Sequence, residues 1–247
     1  MRQVIEENEL HVMATVARYI ASYAKIAKPA WWMLSKDCGP IVEQGTHFCD
    51  LSRYFGGDVD LSTVQAHSLE WYEEAGELSS VPIDELAIAE KDRIPRVTSA
   101  TWKYETGAVG SLTHALVLQG TKYSTELEVY ADGYQLRLID PYNNPTVIIR
   151  HPENDDEEKY QFPNDDPYFG ELGAFIDACD PDSHGASAVA DDDEMEILSS
   201  YEDATKTYAL SWAIRTASEQ SAKKPRKSPR ATPGMSREAS DTEGVKK

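Results

Sequence analysis

The stretch that decides the fold class is "VTSATWKYETGAVGSLTHALVL", Val97–Leu118. Through "VTSATWKY" the side chains repeat with period two, and β-branched and aromatic residues (Val97, Thr98, Thr101, Trp102, Tyr104) dominate. Both features fit an extended chain with one face buried. "AVGSLTHALVL" repeats the pattern after Glu105-Thr106-Gly107, a Gly-containing turn signal, so the two runs read as antiparallel neighbours.

Working outward, three more β-rich runs come next: "STELEVYA", "YQLRLID" and "TVIIRH". The first two are joined across Ala131-Asp132-Gly133, another hairpin signal. Upstream, "LHVMATVARYIASY" (10–23) alternates as a strand, with Val12, Ala14 and Val16 on one side. Successive strands with tight turns predict a meandering antiparallel sheet, not a doubly wound parallel one. Between these regions, 70–95 reads as an acidic, Ser-containing linker, and 152–166 as a polar, acidic segment.

Helical periods flank the strands. Residues 2–9 read as the tail of a helix. "GPIVEQGTHFCDLSRYFGGDV" (Gly39–Val59) starts with Pro40 at a first helical position and stops at Gly56-Gly57, giving about four turns. Its apolar stripe is Ile41, Gln44/Gly45, Phe48, Leu51/Ser52 and Phe55. "PYFGELGAFIDACD" places Phe169, Leu172 and Phe175/Ile176 on one side. Helix 199–220 opens with Ser199/Ser200 as caps and acids in its first turn, with a stripe of Tyr201, Ala204, Tyr208, Ser211/Trp212 and Arg215. These helices predict a cover for one face of the sheet. The tail from 221 on is basic and almost without apolar residues, a composition that stays disordered.

Charge narrows the partners. The 247 residues carry a formal charge of -19, yet residues 221–247 hold 8 of the 24 basic groups and only 3 of the 43 acidic ones. The remaining body, 16 basic against 40 acidic, repels phosphate backbones and anionic lipid, which excludes nucleic-acid binding and membrane docking by the folded part. Three cysteines without a CxxC pair, no apolar leader and no run of about 20 apolar residues predict a soluble cytoplasmic protein. "KKPRKSPR" (Lys223–Arg230) reads equally as a nuclear-import signal beside a phosphorylatable Ser228-Pro229, or as a solubilising tail.

Chemistry concentrates in the Gly39–Val59 helix. Glu43, His47, Asp50 and Tyr54 stand at i, i+4, i+7 and i+11 and share one face. That face is either a solvated helix side with a Glu–His pair, or a site in which Glu43 sets the tautomer and charge of His47. A metal centre from Glu43, His47 and Asp50 lacks a second His or Cys cluster, so no metal ligand is assigned. Trp31-Trp32 just upstream suit either a sugar-binding face or packing under a loop. The acidic runs at 154–158 and 191–196 lack calcium-loop spacing.

"GPIVEQGTHFCDLSRYFGG" resembles the substrate-domain signature of the Gfo/Idh/MocA family of NAD(P)-dependent oxidoreductases. "WKYETGAVGSLTHAL", "LEVYADGYQLRLID", "YFGELGAFIDAC" and "SSYEDATKTYALSWAIRTAS" are similar to that family's later strands and closing helices, in the same order, over about residues 5–220. The resemblance implies an α+β fold like the C-terminal domain of glyceraldehyde-3-phosphate dehydrogenase: an open-faced, largely antiparallel sheet with helices on one face. It implies residues 1–9 as a remnant of the interdomain helix, 10–220 as the substrate and dimerisation domain, and a homo-oligomer formed through the open sheet face.

It also implies roles. His47 would be the general base, Glu43 its orienting acid, and Asp50 a binder of substrate hydroxyls, with Trp31 and Trp32 beside a sugar, polyol or cyclitol-like substrate. Family members more often carry Asp where this chain has Glu43. The family's Rossmann domain, with its G-x-G-x-x-G fingerprint, is absent. "AKP" at 27–29 imitates its E-K-P motif but comes after the first substrate-domain strand, so it is not assigned as the catalytic lysine. The chain alone is therefore expected to bind no NAD or NADP and to be inactive, a full-length member using either. The competing reading is a non-catalytic binding or dimerisation module that assembles with a complete homologue.

Overall fold

In the computed structural model the described residues are 1–23, 33–73, 78, 80, 81, 83–120, 122–153, 155–163, 165–179 and 197–222. Strands β1 (Val12–Ser22), β2 (Val59–Leu69), β3 (Val97–Tyr104), β4 (Val109–Leu118), β5 (Ser124–Ala131), β6 (Tyr134–Ile139), β7 (Thr146–Arg150) and β8 (Glu157–Gln161) form one sheet. Helices are α1 (Arg2–Glu7), α2 (Leu34–Asp37), α3 (Thr46–Gly56, preceded by a π-helical turn Ile41–Gly45), α4 (Pro167–Cys179) and α5 (Tyr201–Ala222).

The strand order is β2-β3-β4-β1-β5-β6-β7-β8, and β1 with β4 is its one parallel pair among the described residues. The largely antiparallel α+β sheet is thus present, with one correction to the simple meander. β1 slots between β4 and β5, with Tyr19 opposite His114 on one side and Thr125 on the other. A strand made first can accept partners on both edges, and the hairpin signals do not record which strand fills the gap between hairpins.

Two strands have no signal in the sequence. β8 is exposed at all five positions and is held by backbone pairing to β7, with rim contacts from Arg137 to Glu157 and His151 to Glu158. β2 is an edge strand whose register breaks between Asp60 and Gln65, where the Asp60 carboxylate accepts from the Ser62 amide and hydroxyl. Irregular edge strands of this kind lose the period-two pattern.

One face of the sheet is covered. Thr15, Ala17, Tyr19 and Ala21 of β1 are buried beneath α3, while α5 packs on β2, β3 and α3. Trp102, Tyr104, Phe48, Leu112, Leu127, Leu210 and Ile214 fill the layer between. Gly110 is required there: a Cβ would lie inside the indole of Trp102 on the neighbouring strand. The Ala14–Val16 side of β1 faces the uncovered surface, where Glu126 is buried between Arg18 and Arg137 and Val16 and Tyr130 remain 37% exposed.

The covering helices differ from expectation in two respects. α5 buries Thr207, Leu210, Ser211, Ile214 and Ser218, leaving Tyr201 and Tyr208 outside. Small and aliphatic residues let it approach α3 closely, which an aromatic face would prevent. α4 buries no described residue: Phe169, Leu172, Phe175 and Ile176 are all exposed.

Candidate functional site

The Gly39–Val59 segment does not form one uniform helix. Its first turn, Ile41–Gly45, is π-helical, and α3 then runs to Gly57, whose φ of +93° and N–H bonded to the Arg53 carbonyl (2.8 Å) end it. Pro40 precedes the π turn and brings no N–H to hold the tighter α register. A π turn inserts an i→i+5 ring and rotates the residues before it relative to those after it, a device common at functional sites. Here it turns Gln44 under the sheet, where its Oε1 meets His114 Nε2 at 2.9 Å.

His47 emerges on the first turn of α3 and is exposed. It lines a cleft of about 410 Å3 with Thr46, Asp50, Tyr142, Ser199 and Thr207. None of the described residues hydrogen-bonds its imidazole; its near neighbour is the ring of Tyr142, met edge-on at 6.2 Å and 75°. Neither ring nitrogen is taken by another described residue.

Asp50 is held from behind. Thr207 Oγ1 donates to Asp50 Oδ1 at 2.7 Å while accepting from Arg53 Nη1 at 2.7 Å. Arg53, its side chain 5% exposed, also donates from Nη2 to Asp203 Oδ1 and to Asp58 Oδ1, each at 2.8 Å. Lys206 donates to the second Asp58 oxygen at 2.7 Å, and Lys206 and Arg53 together hold the Asp58 carboxyl below the usual range. The chain Lys206–Asp58–Arg53–Thr207–Asp50 welds α3 to α5 and fixes one oxygen of Asp50, leaving the other for the cleft.

Of the sequence-derived candidates, the structure brings His47 and Asp50 to one cleft. Glu43 is half-buried at the π turn, not hydrogen-bonded to His47, and its charge adds to the burial and tyrosine neighbours that raise the Tyr19 phenol. Tyr54 lies roughly 10 Å further along the axis than His47 and instead packs under Arg2 of α1. Trp31 and Trp32 lie outside the described residues, as do "AKP", the 191–196 run and 223–247. Among the described residues no group of three His, Cys, Asp or Glu could hold a metal, and no helix is long and apolar enough to cross a membrane.

Sequence reasoning missed Tyr142, Ser199 and Thr207 as cleft residues. For Tyr142 there was a signal: "DPYNNP" (140–145) sets an aromatic among turn formers between two strands, where a core role has no claim on it. Thr207 and Ser199 carry none, because α5 reaches α3 only through tertiary packing. A buried pair sits behind this wall. His114, stacked on Tyr19 at 5.2 Å, has its pKa lowered to about 3 by burial.

The chain matches the family model described as "Putative oxidoreductase C terminal domain" over residues 1–134. It is 46% identical over 216 residues to two uncharacterized proteins of Schizosaccharomyces pombe, UNK4.17 and C12C2.04. Those matches cover 87% and 86% of this chain but 51% and 53% of the relatives, so it spans about half their length. Among solved structures it is similar to UDP-N-acetylglucosamine 3-dehydrogenase GnnA from Acidithiobacillus ferrooxidans (TM-score 0.61, 15% identity, 89% of this chain and 58% of that one). It is likewise similar to KijD10, a 3-ketoreductase from Actinomadura kijaniata in complex with NADP and TDP-benzene (0.59, 16%, 88% and 58%). Levoglucosan dehydrogenase in complex with NADH and L-sorbose gives 0.59, 16%, 89% and 60%. The strand order and covering helices share that fold, and the family match spans more than half of the sequence. This chain belongs to the "Putative oxidoreductase C terminal domain" family, and it shares the fold of the solved oxidoreductases above.

Proposed function

We propose that this chain is the substrate-binding half of an NAD(P)-dependent dehydrogenase or reductase acting on a hydroxyl or carbonyl of a sugar, polyol or cyclitol. The observation that carries the reading is the joint presence of His47 and Asp50 on one wall of a cleft of about 410 Å3, within the size range of small-molecule sites. His47, whose imidazole no described residue hydrogen-bonds, takes the proton from a substrate hydroxyl during oxidation and returns it during reduction. The open oxygen of Asp50, steadied through Thr207 and Arg53, accepts from a neighbouring hydroxyl. Glu43, one turn earlier, is proposed as the acid that orients His47. Trp31 and Trp32 are proposed to complete the substrate site.

The described residues offer no seat for a dinucleotide. No Gly-rich turn joins a strand to a helix N-terminus among them, and the one parallel strand pair is not a βαβ unit of that type. This chain's own part is proposed to be confined to the proton and the substrate hydroxyls, and the chain to be inactive by itself. The exposed apolar side of α4 supports this division. Ser199 lines both the His47 cleft and the apolar hollow beside Leu172 and Phe175, so a domain seated there would roof the cleft. Residues 1–9, 10–220 and 221–247 are proposed as interdomain-helix remnant, substrate domain and basic tail, in a cytoplasmic protein.

The test is titration of the purified chain with NADH, NADPH and simple sugars, monitored by calorimetry and by the imidazole resonances of His47. The proposal expects no micromolar nucleotide binding, and a sugar-dependent shift at His47 that His47→Ala removes. Micromolar NADH binding, or a His47 signal indifferent to every sugar, overturns it.

The uncovered sheet face favours one second reading, a non-catalytic binding or dimerisation module that assembles with a complete homologue. Val16, Val109 and Tyr130 are exposed around the Arg18–Glu126–Arg137 cluster. In a reconstituted assembly, loss of turnover on His47→Ala supports the enzyme, and unchanged assembly with no activity to lose supports the module.

A further inference from the structure

Tyr142 stands where a ligand wall is needed. It sits on the turn between β6 and β7, which is tied down at Asp140, itself at φ +48°. The Asp140 amide donates to the Thr125 carbonyl (3.0 Å), the Asn143 side-chain amide donates to Asp140 Oδ1 (2.8 Å), and the Asn143 and Asn144 amides reach the Asp140 carbonyl. The turn therefore holds the tyrosine at a set position, and the surrounding rings set its plane. Tyr19, His47 and Phe48 meet it at 6.2, 6.2 and 6.5 Å with interplanar angles of 65°, 75° and 66°.

A tyrosine serving only the core would be covered like Phe48 and Tyr19, which are 0% and 7% exposed. Tyr142 is 42% exposed, and the space it faces is the His47 cleft. The rest of the wall mixes the polar Thr46, Asp50, Ser199 and Thr207 with the apolar Leu51, Pro141 and Ala204. A cavity that sets an aromatic ring near hydroxyl and carboxylate side chains matches a molecule carrying both an apolar face and polar groups. A pyranose or cyclitol ring has both: C–H groups on a face, hydroxyls around the rim. The electron-rich face of an aromatic ring attracts the weakly positive C–H groups. Burial, with the neighbouring hydroxyls of Tyr168 and Tyr123, pushes the Tyr142 phenol up to about 12, so the ring stays neutral at working pH.

We infer that Tyr142 is the stacking wall of the cleft, carrying the C–H face of a cyclic polyol while Thr46 and Asp50 take its hydroxyls and His47 meets the reacting one. This rests on the reading above that the cleft takes a polyhydroxylated substrate. It adds a selection: rings bind, and open-chain polyols with the same hydroxyls bind less well, having no single apolar face to lay on the tyrosine.

The experiment uses the whole chain, 13C-labelled at histidine and tyrosine, titrated with methyl β-D-glucopyranoside, myo-inositol and sorbitol. The expected result is that the two cyclic compounds shift both His47 and Tyr142 signals at lower concentration than sorbitol. Tyr142→Phe binds them within about two-fold of the parent. Tyr142→Ala weakens them about ten-fold, the size of one aromatic contact, with sorbitol little changed. Should Tyr142→Ala loosen the fold, Tyr142→Leu keeps most of the packed volume without the π face, and the same selective loss is expected. Cyclic sugars that shift His47 equally in Tyr142→Leu and the parent overturn this inference and leave the proposed function standing. A parent chain in which no sugar moves His47 overturns both.

Discussion

Arg53 and Asp203 lie 150 residues apart and are joined by a charge-assisted hydrogen bond of 2.8 Å that ties α3 to α5. The same guanidinium reaches Asp58 and Thr207, and through Thr207 it orients Asp50. Arg53→Ala is expected to cost about 2–3 kcal/mol, because a nearly buried cation and its hydrogen bonds are lost while the half-exposed carboxylates can rehydrate. Asp203→Asn, which keeps the shape, should cost about 1 kcal/mol. Urea unfolding of the two variants beside the parent checks the order.

His114 makes stability pH-dependent. Its pKa falls from 6.5 to about 3 in the folded chain because burial disfavours the charged ring. A proton therefore binds the unfolded chain before the folded one. This contribution is complete above pH 6.5 and declines as pH falls towards 3, by up to about 1.4 kcal/mol per unit. Urea midpoints measured at about pH 7.5, 6.0 and 5.0 should drop progressively. His114→Gln, which has no proton to gain, should start lower and slope less.

The three thiols should react in a fixed order. Cys179 is exposed, Cys38 half-buried, and Cys49 buried with its pKa pushed up to about 12 by desolvation. Thiolate, not thiol, is the reactive form. A colorimetric disulfide reagent should consume Cys179 quickly and Cys38 slowly, and should reach Cys49 only after denaturant is added.

Gly110→Ala tests the closest approach in the sheet. The added methyl would occupy the position of the Trp102 indole, so Trp102 must move out of a layer in which it is 2% exposed. A cost of about 1–3 kcal/mol is expected from overpacking, together with a red shift in tryptophan emission. The exposed Gly107→Ala, at φ +93° with open space around it, should cost less and leave the emission unchanged.

Local sequence determined much of this protein. Alternation through Val97–Leu118 and the turns at Gly107 and Gly133 specified hairpins that form as read, since a period of two and a positive-φ residue are properties of neighbours in the chain. Pro40 and Gly56-Gly57 bounded the segment, and spacing gave Ile41, Gln44, Gly45, Phe48 and Ser52 of its buried side. Leu51 and Phe55 of the same stripe are half-buried, while Cys49 and Arg53 are buried outside it. His47 and Asp50 could be named because they share that one helix. Tertiary structure alone decided the rest. The place of β1 between β4 and β5 is a long-range pairing that no local pattern encodes. β8 is held by backbone bonds, to which side-chain periodicity is blind. The inner face of α5 was fixed by what α3 could accept at close range, which buried Thr207 and Leu210 and turned Tyr201 and Tyr208 outward. The cleft is decided the same way: Tyr142, Ser199 and Thr207 reach His47 from other segments of the chain, because a site is made where packed elements meet and not where residues are neighbours in sequence.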